Sequence, residues 1–175
     1  MPPPKPKPPT LRAILERVRL NQPLSMPVLV AVNADAAEAV GEEDPTGVTG
    51  VQPVPAAWSV EAMSHLGDNA CLVVDGFAQT GGGLRLTVGR SRRCDYRIAD
   101  GSVSAVHAYL TYDLRAGEYS VTDAGSRNGT FVNGTRVPVE VRTVIWPGSL
   151  LGFGVVVFCF LDPPTVRKLA TLDAE

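Results

Sequence analysis

The sequence predicts a mainly β protein, a sandwich or barrel with short helical pieces at its flanks, and three observations carry that prediction. From Cys71 to Leu161 the chain runs as seven or more short β-type segments separated by Gly, Asn and Asp. Two of them, Leu84-Arg85-Leu86-Thr87-Val88 and Tyr119-Ser120-Val121-Thr122-Asp123, alternate apolar and polar residues, so each buries one face. Asn133-Gly134, set between Thr130-Phe131-Val132 and Thr135-Arg136-Val137, is a two-residue hairpin signal, because both central residues must take positive φ.

In chain order, residues 1–9 hold six prolines and are expected to form an extended, disordered tail, since Pro fixes φ and removes a donor. Thr10 caps a helix whose Leu11, Ile14, Leu15 and Val18 fall at helical spacing. Met26–Val32 reads as a buried strand and Asp35–Val40 as a short helix ended by Gly41. Residues 42–55 mix acids with Gly and Pro and read as a loop or linker, and Ser59–Leu66 as a short helix closed by Gly67. The β segments follow at Cys71–Val74, Leu84–Val88, Ala105–Tyr112, Glu118–Asp123, Thr130–Val132, Arg136–Val139 and Leu150–Leu161, the last broken by Gly. Gly81-Gly82-Gly83 is read as a hairpin loop, and Trp58 and Trp146 as packing groups. A final helix has Asp162 as its cap, Pro163 at its first position and Val166, Leu169 and Leu172 three apart. The chain thus divides into the tail 1–9, a partly helical extension with an acidic loop over 10–66, a β-sandwich over 67–161 and a helix and tail over 162–175.

Composition narrows the function. A net charge of −2 offers no global attraction to nucleic acid or anionic lipid, so a basic site must be local. No Lys or Arg lies between Arg19 and Arg85, whereas Arg85, Arg90, Arg92, Arg93 and Arg97 follow closely on one another. Three cysteines without CxxC spacing and two histidines argue against a structural metal site or a disulfide framework and for reduced thiols in the cytoplasm. No signal-peptide segment is present, and the apolar run 155–161 is too short to span a bilayer. No cofactor is expected.

Three loops of the β region carry the candidate chemistry: Gly89-Arg90 and the residues after it, Ser102 to His107, and Gly125-Ser126-Arg127-Asn128-Gly129. The last collects backbone amides, a hydroxyl, a carboxamide and a guanidinium, an outfit for holding an anion. In order, a Gly-Arg after a strand, a Ser-x-x-His and a Ser-x-Asn-Gly-Thr-x-Val-Asn-Gly resemble the forkhead-associated (FHA) domain over about residues 70–161. The resemblance implies a β-sandwich of about eleven strands and recognition of phosphothreonine in a partner protein. It implies that Arg90 is the main phosphate ligand, that Ser104 donates its hydroxyl to a second phosphate oxygen and that Asn128 bonds the peptide backbone next to the phosphothreonine. Arg127 would meet the phosphate or a neighbouring acid, with Arg92 and Arg93 at the periphery. Gly89, His107, Gly129, Thr130, Asn133 and Gly134 would be structural. The family often has Arg or Asn directly after the motif serine, where this chain has Ala105.

A phosphothreonine carries nearly two negative charges and three acceptor oxygens, and a guanidinium can bond two of them at once. The chain therefore reads as a non-catalytic adaptor downstream of a Ser/Thr kinase, with neither nucleic acid nor membrane as partner. The alternative is a scaffold that binds its partner independently of phosphate through residues 10–66. Ser104, His107 and Asp123 carry the residue types of a hydrolase triad, but the chain has no Gly-x-Ser-x-Gly elbow to strain a nucleophile.

Overall fold

The computed structural model describes residues 8–22, 24–32, 35, 67–73, 79–80 and 83–172. The loop expected at 42–55, the helix at 59–66, Trp58, all of the 35–40 helix beyond Asp35 and most of the 1–9 tail lie outside them. Among the described residues the chain forms helix α1 (Leu11–Arg19) and strands β1 (Val28–Ala31), β2 (Cys71–Val73), β3 (Gln79–Thr80), β4 (Gly83–Gly89), β5 (Tyr96–Arg97) and β6 (Ala108–Asp113). Strands β7 (Glu118–Asp123), β8 (Thr130–Val132), β9 (Thr135–Arg136), β10 (Thr143–Ile145), β11 (Leu150–Phe153) and β12 (Val156–Leu161) follow, then helix α2 (Pro163–Leu172).

The strands make two sheets. The first has the order β2-β1-β12-β11-β8-β9; the second runs β10-β7-β6-β4-β3, with β5 parallel beside β4. The β-sandwich flanked by helices is therefore the observed architecture. Its main core lies between the sheets, where Leu86, Val88, Leu110 and Val121 meet Leu29, Phe153, Phe158 and Phe160. Burying such side chains is worth about 1.5–3 kcal/mol each before the cost of ordering them.

A second core sits on the outer face of the first sheet. Leu11, Ile14 and Leu15 of α1 and Val166, Leu169 and Ala170 of α2 cover Val28, Val30, Cys71, Val157, Cys159 and Leu161. Strands β1 and β12 are consequently buried on both faces, which is why they read in sequence as continuous apolar runs without alternation. Residues 28–31 fall in the stretch read as an N-terminal extension, yet β1 pairs antiparallel with both β12 and β2. The helix caps form as read: Thr10 Oγ1 accepts from Ala13 N at 3.3 Å and Asp162 Oδ1 from Thr165 N at 3.0 Å. The stripe on α2 ends differently, with Ala170 buried and Leu172 exposed.

Four other details depart from the sequence reading. Strand β6 begins at Ala108 instead of Ala105, because the Ala105 carbonyl accepts from Ser91 N and the Cys94 thiol instead of joining a ladder. Strand β9 stops at Arg136, two residues before Pro138, which has no N–H to donate. Strands β3, β5 and β10, of two or three residues each, are too short to show a period. Trp146, read as a packing group, is 62% exposed in the turn after β10. The Asn133-Gly134 hairpin is present, with φ of 49° and 81°.

Candidate functional site

The three motif loops meet at one end of the sandwich, each held by backbone hydrogen bonds. Arg90 N donates to Ser104 O at 2.9 Å and Ser91 N to Ala105 O at 3.0 Å, joining the loop after β4 to the loop before β6. Gly89 makes this approach possible: a Cβ there would stand 2.4 Å from the Ala105 carbonyl oxygen, a distance no real side chain tolerates. The third loop, between β7 and β8, joins through Arg127 N, which donates to Ser104 Oγ at 3.0 Å, and through Asn128 Nδ2, which donates to Ser102 O at 2.8 Å. Arg90, Ser104, Arg127 and Asn128 are thereby brought to one surface.

His107 is the brace beneath it. The ring is fully buried, its Nδ1 accepts from Ser104 N at 3.1 Å, and its Nε2 sits 2.9 Å from Gly129 O. Since a carbonyl only accepts, the proton is on Nε2 and the ring is the neutral tautomer. Burial lowers its pKa, against smaller opposing effects of the Gly129 carbonyl and Asp123. Phe153 packs edge-on against the same ring with centroids 5.7 Å apart.

Asp123, which sequence reasoning weighed only as a triad member, organises the third loop. Its Oδ1 accepts from Gly125 N and Ser126 N, both at 2.9 Å, and its Oδ2 accepts from the Ser126 and Thr130 hydroxyls. Burial alone would raise this carboxyl; the bonds from Ser126, Thr130 and Gly125 outweigh it and hold the group below the usual range. The signal was present as an Asp two and three residues ahead of Gly and Ser, the spacing of an Asx turn. No relay links Ser104, His107 and Asp123: Ser104 Oγ takes its bond from Arg127 N, and the histidine meets the serine only through the backbone amide.

A second buried pair was also missed. Ser102 Oγ donates to Asp100 Oδ1 at 2.6 Å and accepts from Val155 N at 3.0 Å, tying the serine loop to the turn between β11 and β12. Gly154 N donates to Gly129 O at 3.1 Å in the same turn, so both sheets contribute to the platform.

The remaining predicted residues divide by position. Arg92 and Arg93 are exposed on the turn after Arg90, where Arg93 N donates to Ser91 Oγ at 3.2 Å. Thr130 is buried on Asp123. Asn133 stands away from the three loops: its Oδ1 accepts from Leu150 N at 2.8 Å, which pins the hairpin to β11.

Residues 86–154 match the family model of the FHA domain. The refined NMR structure of the FHA1 domain of yeast Rad53 is 15% identical, and the match covers 94% of this chain and 96% of that one at a TM-score of 0.52. An engineered FHA domain with a Myc-pTBD peptide is 15% identical over 82% of this chain and 97% of its own, at a TM-score of 0.50. The N-terminal FHA domain of S. cerevisiae Rad53p, in complex with a phosphothreonine peptide, is 20% identical over 51% of this chain and 77% of its own, at a TM-score of 0.45. The matched residues 86–154 hold all three motif loops in family order, within the two-sheet sandwich, so this part of the chain is similar to the FHA domain.

Proposed function

We propose that this protein is a phosphothreonine-dependent binding module, an adaptor that docks onto proteins modified by a Ser/Thr kinase in the reducing cytoplasm. The observation that carries the reading is a set of converging donors with spare capacity. Arg90 spends Nε on Val103 O at 3.2 Å, and among the described residues no carboxylate pairs with its two terminal amino groups. Ser104 Oγ accepts from Arg127 N, which leaves its own O–H to donate outward. Asn128 spends one N–H on Ser102 O and keeps Oδ1 and a second N–H for a peptide backbone. Ala105, exposed beside Ser104, adds no side-chain donor, so the phosphate falls mainly to Arg90 and Ser104.

These groups bind and orient; none is arranged to transfer a proton or attack a bond. The role is recognition, with the charged fork supplying the preference for a dianion over a neutral hydroxyl. An oriented phosphothreonine peptide library tests it against the matching unphosphorylated library. The reading expects enrichment only from the phosphorylated set, lost in Arg90→Ala at a cost of roughly 2–5 kcal/mol, since a desolvated dianion is left without its partner. Equal enrichment from both libraries would overturn it.

A further inference from the structure

We propose that Arg136 reads an acidic side chain flanking the phosphothreonine, a proposal that rests on the function just given and names the peptide class it selects. The hairpin at Asn133-Gly134 folds β9 back so that Arg136 lies opposite Phe131, alongside the third motif loop. There its guanidinium occupies the space that a side chain on residue 129 would take. A Cβ built on Gly129 would stand 2.8 Å from Arg136 Nε, 3.0 Å from Cζ and 3.1 Å from Nη2. Gly129 has φ of 87°, so both its backbone and its missing side chain make room for the guanidinium.

Arg136 is an exposed residue, and no hydrogen bond or ion pair engages its guanidinium among the described residues. The loop beneath offers it little. Gly129 O already faces His107 Nε2 and Gly154 N, and both carboxylate oxygens of Asp123 are buried and bonded within the loop. Arg127 is tied to Ser104 through its backbone, so it stands on the phosphate side of Asn128, whereas Arg136 lies on Gly129, the residue after Asn128. A peptide held by Asn128 would therefore run between phosphate ligands and a separate, uncommitted fork. The group such a fork matches is a carboxylate.

The test is fluorescence-anisotropy competition with phosphothreonine peptides that carry Asp, Ala or Lys at each flanking position in turn. The native protein should favour Asp over Ala at one position by about two- to fivefold at low salt, the scale of an exposed ion pair. Arg136→Gln should bring that ratio to one while changing affinity for the Ala-flanked phosphopeptide by less than about twofold. An Asp preference that survives Arg136→Gln, or its absence from the native protein, would overturn the assignment; so would an equal loss for every phosphopeptide, which would make Arg136 a phosphate ligand. Failure of the native protein to distinguish any phosphopeptide from its unphosphorylated form would instead remove the parent reading, and this one with it.

Discussion

Asp123 shows how one buried side chain shapes the third motif loop from beneath. It gathers donors from Gly125, Ser126 and Thr130, and Ser126 Oγ in turn accepts from Gly129 N at 3.0 Å, so the turn that presents Arg127 and Asn128 is wound around a single carboxylate. Asp123→Ala leaves these donors stranded and should cost about 1–3 kcal/mol for each one that stays buried, read from the shift of a urea denaturation midpoint. His107 gives a pH dependence whose sign follows from its burial. Its folded pKa is lowered, so between that value and the ordinary one of about 6.5 the folded state binds fewer protons than the unfolded. Stability should therefore rise with pH through this window and fall as the solution is acidified, and His107→Gln should remove that slope. On the proposed function, phosphopeptide binding should weaken over the same range, because the phosphate takes up its second proton near pH 6; denaturation without peptide isolates the histidine's share. The motif residues were legible because loop chemistry is local: a Gly-Arg, a Ser-x-x-His and an Asn-Gly stand contiguous in the chain. The Asp100–Ser102 pair was not, since its purpose lies in the Val155 amide, 53 residues from Ser102.

At the scale of elements, the first strand and first helix carry the main revision. α1 and β1 precede the matched family region, yet β1 lies between β2 and β12, and α1 packs beside α2, where Arg19 Nε donates to Ala170 O at 2.7 Å. A fragment of residues 67–175 would lose β1 and expose the core faces of β2 and β12, including Phe158 and Phe160. It should show no cooperative thermal transition where the full chain does, as followed by circular dichroism. Alternating strands such as β4 and β7 were readable from sequence because each has one wet face, and the cation–π seat of Arg85 over Tyr109, 3.8 Å from the ring centroid, lies on that face. Strands β3, β5 and β10 were not, because they exist only through their neighbours: β5 is two residues that pair with Val88 and Gly89. The boundary drawn at residue 67 fails to include β1 for a related reason. A strand buried on both sides offers no alternation, and only the folded chain shows that helices cover its second face.

Across the whole molecule, the two cores divide the surface by task. Helices α1 and α2 close one face of the first sheet, while the loops of the second sheet, joined to the β11–β12 turn through Ser102 and Gly129, form an open edge rimmed by Arg90, Arg127 and Arg136. On the proposed function, this edge binds phosphate on a threonine and Arg90 is the group responsible. The most direct measurement is a calorimetric cycle with one library-selected peptide, phosphorylated and not, titrated into the native protein and Arg90→Ala. Only the native protein with the phosphopeptide should bind tightly, the other three combinations being alike; a phosphopeptide held as well by Arg90→Ala as by the native protein would contradict the account.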